Sequence, residues 1–314
     1  MAFTPTVNRT GQVNQTGAND ALFLKKWSNE ILAAYEQNQE FVPQHMRRQS
    51  NSMKSLQFPV FGRLAEANGT DFLAVGDATS QSKINGDERT ITTDGIVYKS
   101  MVLSDVDDVQ AHYDVRSVYA TQMGESIAMY DNTTVALNMI RAARDSGKAG
   151  LSGGSQVTSA ASKTDATVLQ TALFASKQAL DEKFVREASK AYLKPTQYHL
   201  LVQSDRLVHS DFTAGSNGGL DTGYIKAVAG LEVVKSLNLP TTNVTNSIGN
   251  KYNVDASNTT SIISTNKSVG SVLWKGVNVE GERLIQYKGY YTDISGNFGY
   301  DVLRAEDACE IVTA

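Results

Sequence analysis

A chain of 314 residues with 41% apolar and 20% charged residues can bury a real core, as one large or two modest domains, and has the composition of a folded soluble protein. Its formal net charge of -4 argues against a nucleic-acid binder whose whole surface is basic and leaves open only a local basic face. A single cysteine, Cys309, rules out an internal disulfide, residues 1–20 are too polar to read as a secretory signal, and no apolar run approaches the ~18 residues needed to span a bilayer.

Residues 1–19 are rich in Asn, Gln, Thr and Gly and lack the apolar surface to order themselves, which predicts a mobile tail. From Asp20 onward, Leu22, Phe23, Trp27, Ile31, Leu32 and Tyr35 fall on or near one helical face. The polar stretch from Gln37 to Gln49 offers that face no adjoining partner, so it must dock on a distant segment or on another subunit. Phe41-Val42-Pro43 reads as extended chain. Leu56, Phe58 and Val60 alternate as a strand, with Pro59 marking an edge or bulge. Thr90 to Leu103 is rich in β-branched residues and reads as the returning strand, broken by a turn at Asp94-Gly95. The long connection between the two runs is made of Ala, Gly, Asn, Asp, Ser and Gln, which a compact domain rarely carries without a function for it. The whole reads as a two-stranded arm, marginal in water by itself and in need of a neighbour.

Ser104-Asp105-Val106-Asp107-Asp108 then leads into a helix of unusual length, Asp114 to Arg144. Asp114 is placed to cap it, and Tyr119, Met123, Ile127, Tyr130, Leu137 and Ile140 recur at helical spacing with Thr134 in the gap. Its length of roughly 45 Å predicts a rod that crosses a whole domain. Gly124 inside it implies either a close-passing backbone or a bend. Gly147 to Ser162 is of low complexity and reads as a flexible boundary. Beyond it Asp165 caps a helix carrying Leu169, Leu173, Leu180 and Phe184, stopped by Lys194-Pro195. Tyr198 to Val202 reads as a buried strand, Ser204 to Phe212 as a short helix and Ala214 to Gly223 as a loop. Leu231–Val234, Ser261–Thr265 and Ser271–Trp274 read as strands, with Asn243 to Asn258 a polar connection. Val277 to Tyr291 reads as a strand or a hairpin around Gly281, and Phe298–Leu303 and Ala308–Val312 as closing strands.

Chemistry-bearing residues occur without forming a reactive constellation. Asp105, Asp107, Asp108, His112 and Asp114 offer oxygen ligands, but lack the glycine turn and closing glutamate of a calcium loop and sit where a helix N-terminus favours acids anyway. Ser146-Gly147-Lys148-Ala149 is a fragment of a phosphate loop without its leading glycine or its magnesium-binding hydroxyl. His209-Ser210-Asp211 collects triad residue types that, being adjacent, cannot form a relay. His45, His112, His199 and His209 are dispersed. Lys25-Lys26 and Arg47-Arg48 could touch nucleic acid weakly, although a solvated face accounts for them as well. No catalytic, cofactor-binding or metal residue is therefore assigned, and no cofactor is expected. A chain that spends so much of its length on a tail, a lone amphipathic helix and a projecting arm reads physically as a self-assembling structural protein, since such extensions bury surface only against neighbouring copies.

Specific runs carry a resemblance: Ala21-Leu22-Phe23-Leu24-Lys25; Gln57-Phe58-Pro59-Val60 with Gly62-Arg63; Ile91-Thr92-Thr93-Asp94-Gly95; and His112-Tyr113-Asp114-Val115-Arg116-Ser117 followed by Gly124-Glu125-Ser126. Gly230-Leu231-Glu232-Val233-Val234 ending near Leu239-Pro240, and Val302-Leu303-Arg304-Ala305-Glu306, extend it to the second half. In these runs and in element order the chain resembles the major capsid proteins of tailed bacteriophages, of the short-tailed podovirus branch.

The resemblance implies an α+β tailed-phage major capsid fold. Residues 1–53 would be an N-terminal arm, 54–103 an extended β-loop, 104–164 a peripheral domain with the long helix as spine, 165–285 an axial domain and 286–314 the return to the peripheral domain. It further implies pentamers and hexamers of identical subunits in an icosahedral head enclosing double-stranded DNA, a scaffolding protein and a portal as partners, and packaged DNA touched weakly on the inner face. No membrane partner is implied. The expected location is the virion shell, assembled in the host cytoplasm. The alternative is an encapsulin-like nanocompartment shell of the same fold around a cargo enzyme.

Overall fold

The computed structural model describes residues 19–52, 54–64, 75, 83–104, 115–148, 150–204, 218–219, 223–245, 248–284, 286 and 288–313. In chain order its main elements are α1 (Asn19–Gln37), β1 (Met46–Ser50), β2 (Ser55–Phe61), β3 (Gly86–Thr92), β4 (Ile96–Ser104), α2 (Val115–Arg144), β5 (Ser155–Thr158), α3 (Ala166–Glu182), β6 (Lys190–Leu193) and α4 (Pro195–Val202). β7 (Ala227–Val228), β8 (Leu231–Lys235), β9 (Thr259–Ser264), β10 (Val269–Leu284), β11 (Gly289–Val302) and β12 (Ala308–Val312) follow. The backbone divides into two units, one of residues 1–39, 96–131 and 275–297, the other of 40–95, 132–274 and 298–314.

In the first unit α1 lies against the first half of α2, and Gly124 is what lets it do so. A Cβ at that position would come within 2.5 Å of the Ile31 carbonyl oxygen and 2.8 Å of the Tyr35 nitrogen. Of the two causes open for this glycine, a close-passing backbone is the one realised. Ile31, Ala34 and Tyr35 are buried on α1, and Ala120, Met123 and Ile127 on α2. Tyr35 Oη donates to the buried Asp131 at 3.2 Å. The face of α1 thus finds its partner, for the side chains described, in a distant segment of the same chain. β4 pairs antiparallel with β11 in this unit, Ile96 opposite Asn297 and Ser104 opposite Gly289.

The second unit is built on a six-stranded sheet in the order β5-β12-β9-β6-β8-β7. Leu169, Leu173 and Leu180 of α3 and Tyr198, Leu201 and Val202 of α4 pack on Ala191, Leu231, Ile263 and Ile311 of that sheet in one buried cluster. Asp165 caps α3 as its position predicts, accepting from the Thr167 and Val168 amides at 2.8 and 3.3 Å. The second half of α2 is buried nearly all round, with Val135, Ala136, Met139, Ile140 and Ala142 fully enclosed. Its last turn ends on a buried carboxylate: Arg144 donates to both oxygens of Glu310 on β12 at 2.8 and 2.7 Å. Gln156 of β5 and Thr259 of β9 complete the shell around the same group, at 2.8 and 2.5 Å.

Several sequence expectations are corrected. Tyr198–Val202 is helix α4, because Pro195 occupies its first turn and Tyr198, Leu201 and Val202 bury one face at helical spacing; a short apolar run does not declare its period. Of the strand and the hairpin open at Gly281, the strand is realised: β10 continues to Leu284 before the chain returns as β11, so three predicted pieces are one long hairpin. Gly147 to Ser162 is not flexible throughout, since Ser155–Thr158 joins the sheet parallel to β12. Gly153 and Gly154 there lie against the backbone of residues 142–146, and the Lys183 ammonium donates to both their carbonyls at 2.6 and 2.9 Å. The polar stretch before Gln49 contains strand β1, parallel to β10, and a 3-10 turn at Val42–Gln44 where extended chain was expected. The break at Asp94-Gly95 is real, but its two sides part company, β3 with β2 and β4 with β11. Residues 1–18 of the expected 1–19 tail, most of the arm's connection, the acidic run after Ser104 and the expected helix at 204–212, beyond Ser204, lie outside the described residues, and Asn19 opens α1.

Two substitutions test this packing. Gly124→Ala should destabilise by about 1–3 kcal/mol through overpacking against α1, despite the ~1 kcal/mol that alanine gains in helix propensity. Arg144→Met, which leaves Glu310 buried without its charge partner, should cost on the order of 3–5 kcal/mol; adding Glu310→Gln should return part of it. Urea midpoints of the purified subunit measure both.

Candidate functional site

The described surface most suited to contact with other molecules is the ladder of β2 and β3 together with the cleft beside its end. Seven residue pairs, from Ser55–Thr92 to Phe61–Gly86, form the ladder. Its inner side is held by the chain's own core, because Phe58 and Ile91 are buried in a cluster with Val272 and Leu303. The arm is therefore supported at its root, which the sequence did not foresee. Charges reinforce that root: Arg89 pairs with Asp145 at 2.8 Å and Lys148 with Asp87 at 3.3 Å. A backbone amide from Glu88, and the Lys148 ammonium after it, hold the Asp87 carboxyl below its ordinary range. Toward the far end the apolar side chains are exposed, with Phe61, Leu64 and Ile84 all open to solvent.

At the break after β3, Asp94 accepts from Lys251 at 3.1 Å and makes a short hydrogen bond with the Tyr252 hydroxyl. Tyr252 Oη in turn accepts from the Tyr300 amide at 3.1 Å, so the end of the ladder is pinned to β11 through two side chains.

Beside the other end of the ladder opens a cleft of about 700 Å³, lined by Arg63, Phe184, Arg186, Glu187, Arg304 and Asp307 among others. Arg63 donates to the Phe184 carbonyl at 3.1 Å, lies 5.7 Å above that residue's ring and pairs with Glu306 at 3.4 Å. Arg304 reaches the same Glu306 at 3.6 Å and donates to the Phe61 carbonyl at 3.2 Å. Phe184 has a left-handed backbone, φ 57°, and leaves 65% of its surface exposed, a conformation unusual for so bulky a residue. Asp307 is only 2% exposed, and its Oδ2 has no hydrogen-bond partner among the described residues. Burial, with Glu306 beside it, pushes that carboxyl up to about 6.

The residues examined for chemistry do not come together. Asp105, Asp107, Asp108, His112, Asp114, His209, Ser210 and Asp211 lie outside the described residues. His45 is buried between the Phe41 carbonyl and Ser271, at 2.6 and 2.8 Å, and His199 stands edge-on to Tyr198. The Ser146-Gly147-Lys148 fragment is a turn closed by Asp145, with Lys148 spent on the ladder. Arg47 donates to Ser271 at 3.2 Å, and Arg48 lies 4.6 Å above the Phe58 ring, so this pair belongs to β1 and its packing rather than to a helix face. Among the described residues no three side chains gather to hold a metal ion. What sequence reasoning missed is the cleft, whose residues come from three separated stretches and carry no local motif.

A family described as Gp10A-like, major capsid protein, matches residues 57–312. The chain is similar to the major capsid protein of Escherichia phage T7, 39% identical over 124 residues, which are 39% of this chain and 35% of that protein. The match thus spans about a third of the length of that relative. Over its full length the chain is similar to one in the capsid structure of cyanophage P-SCSP1u, with a TM-score of 0.76 and 30% identity, covering 100% of this chain and 99% of that one. A chain of the bacteriophage PhiM1 mature capsid shares the fold, with a TM-score of 0.72 at 18% identity over 87% of this chain and 86% of that one.

The raised carboxyl gives a signed test. Between about pH 4 and 6 the folded chain keeps a proton on Asp307 that the unfolded chain has released, so this group's stabilising contribution is full below that window and is lost as pH rises through it. At about 1.4 kcal/mol per pKa unit the loss is on the order of 3 kcal/mol. Asp307→Asn should flatten that part of the stability profile, read from urea midpoints between pH 4 and 7.

Proposed function

The chain belongs to the Gp10A-like family of major capsid proteins, and from that membership we propose that it assembles, as pentamers and hexamers of identical subunits, into the icosahedral head of a short-tailed phage enclosing double-stranded DNA. Its family, its relative in phage T7 and its structural likeness to phage capsids support a structural shell protein and do not favour the nanocompartment alternative. A scaffolding protein during assembly, a portal, weakly touched packaged DNA and assembly in the host cytoplasm belong to the same proposal. So does the division into an N-terminal arm (1–53), extended loop (54–103), peripheral domain (104–164 with 286–314) and axial domain (165–285).

The observation that carries the reading within this chain is the β2–β3 ladder. It is anchored by Phe58 and Ile91 at one face while Phe61, Leu64 and Ile84 remain exposed, an arrangement that gains apolar burial only against a neighbour. Replacing residues 65–82 by a short Gly-containing turn spares β3 and should leave circular dichroism and cooperative unfolding intact. Shells should nevertheless fail to form when the variant is co-expressed with its scaffolding protein. Normal shells by negative-stain electron microscopy, or an unfolded subunit, would contradict the assignment of this loop as an intersubunit arm.

The shell is further proposed to hold without covalent links. Lys83 is exposed next to the ladder, and among the described residues nothing encloses it in a desolvated pocket of the kind that activates a lysine. Particles boiled in detergent should run as one band near 34.0 kDa. A ladder of bands abolished by Lys83→Ala would overturn this.

A further inference from the structure

The cleft at Arg63, Phe184, Arg186, Arg304 and Asp307 has the features of an incomplete contact. Arg63 and Arg304 share one carboxylate, Glu306, whereas Arg186 is exposed and makes no ion pair among the described residues. Phe184 is held in an unfavourable backbone conformation with its ring largely in solvent and Arg63 above it. Leu64 adds a second exposed apolar side chain to the lining. Asp307, 2% exposed, presents a buried oxygen, Oδ2, that no donor among the described residues satisfies, and such an orphan costs free energy unless a partner supplies the missing hydrogen bond.

The occupant that fits must bring a carboxylate for Arg186, a hydrogen-bond donor for Asp307 and apolar surface for Phe184 and Leu64. Nucleic acid fits poorly, because its backbone phosphates bring no hydrogen-bond donor for Asp307 and no apolar surface for Phe184 and Leu64. A polypeptide with an acidic stretch meets all three demands. The chain itself is net acidic, with 33 Asp and Glu against 29 Lys and Arg. It exposes two carboxylates on β10, Glu280 and Glu282, which alternate outward with Asn278 on a strand whose pairing with β1 ends at Trp274.

From these observations we infer that the arginine-lined cleft is a docking site for an acidic stretch of a second copy of this chain. The inference rests on the shell-forming function proposed above and specifies one of its contacts. It makes the contact heterologous, cleft on one copy and acidic surface on the next, the kind that builds rings where its rotation closes.

The test places a photo-crosslinking amino acid at position 186 in the full chain and assembles particles from a mixture of light and isotopically heavy subunits. Peptide mass spectrometry should find mixed light–heavy cross-links from position 186 to an Asp- or Glu-containing peptide. Cross-links confined to one chain, to DNA or to another protein, or no cross-link in well-formed particles, would overturn the docking site. As a second reading, Arg186→Glu should lower particle yield at least tenfold while subunit circular dichroism and the urea midpoint stay unchanged; unchanged yield would count against the contact. If the unmodified chain forms no particles at all under scaffolded co-expression, the shell function itself fails, which separates the two outcomes.

Discussion

The buried carboxylate of Glu310 sets the terms for the second unit. An unpaired charge with no exposed surface is costly enough to unfold a marginal domain, so the chain has to deliver donors to it from every side. Arg144 arrives from the last turn of α2, Gln156 from β5 and Thr259 from β9. The bidentate bond to Glu310 raises the arginine above its already high ordinary value. One side chain on the strand next to the sheet's edge thereby holds the end of the long helix, and it joins strands that are far apart in sequence. Ala142 and Ala143, in the same last turn, complete the junction by packing on Val302, Ala305 and Ala308.

Glycine plays the complementary part, permitting approach where charge compels it. Gly124 admits the backbone of α1, and Gly154 lies so close to α2 that a Cβ would fall 2.3 Å from the Ala142 carbonyl oxygen. Gly270 does the same for the ladder's root, where a Cβ would meet Ile91 and Leu303 side chains at 2.9 and 2.8 Å. These three positions tie separate stretches to helices or strands at distances no side chain would tolerate. They explain why a chain with so many polar connections still has an ordered framework.

The ladder combines a fixed root with an exposed end. Its root is held by apolar burial and by two ion pairs to the turn after α2, and the break at Asp94 is pinned by Lys251 and Tyr252. Its exposed end and the neighbouring arginine-lined cleft lie together, since Arg63 and Leu64 follow β2 directly. A capsid subunit must be stable before assembly yet keep surface in reserve for its neighbours, and this arrangement separates the two demands along one pair of strands.

Local physics was legible in the sequence wherever it ran with a clear period or a local cap. The long helix, its stripe from Met123 to Ile140, the Asp165 cap, the β2 alternation and the break at Asp94-Gly95 all depend on residues close in the chain, and so did the runs that carry the capsid resemblance. What the tertiary structure decided involves partners remote in sequence. Whether Gly124 marked a bend or a contact depended on Ile31 and Tyr35, more than eighty residues away. Whether Tyr198–Val202 formed helix or strand depended on Pro195 and on the sheet it had to cover. The Gly-rich stretch before Ser162 is ordered by Lys183 and by pairing with β12, neither of which its own composition reveals. The cleft exists only because three stretches without a shared motif converge, for burial and charge pairing are set by neighbours in space and leave no period in the chain.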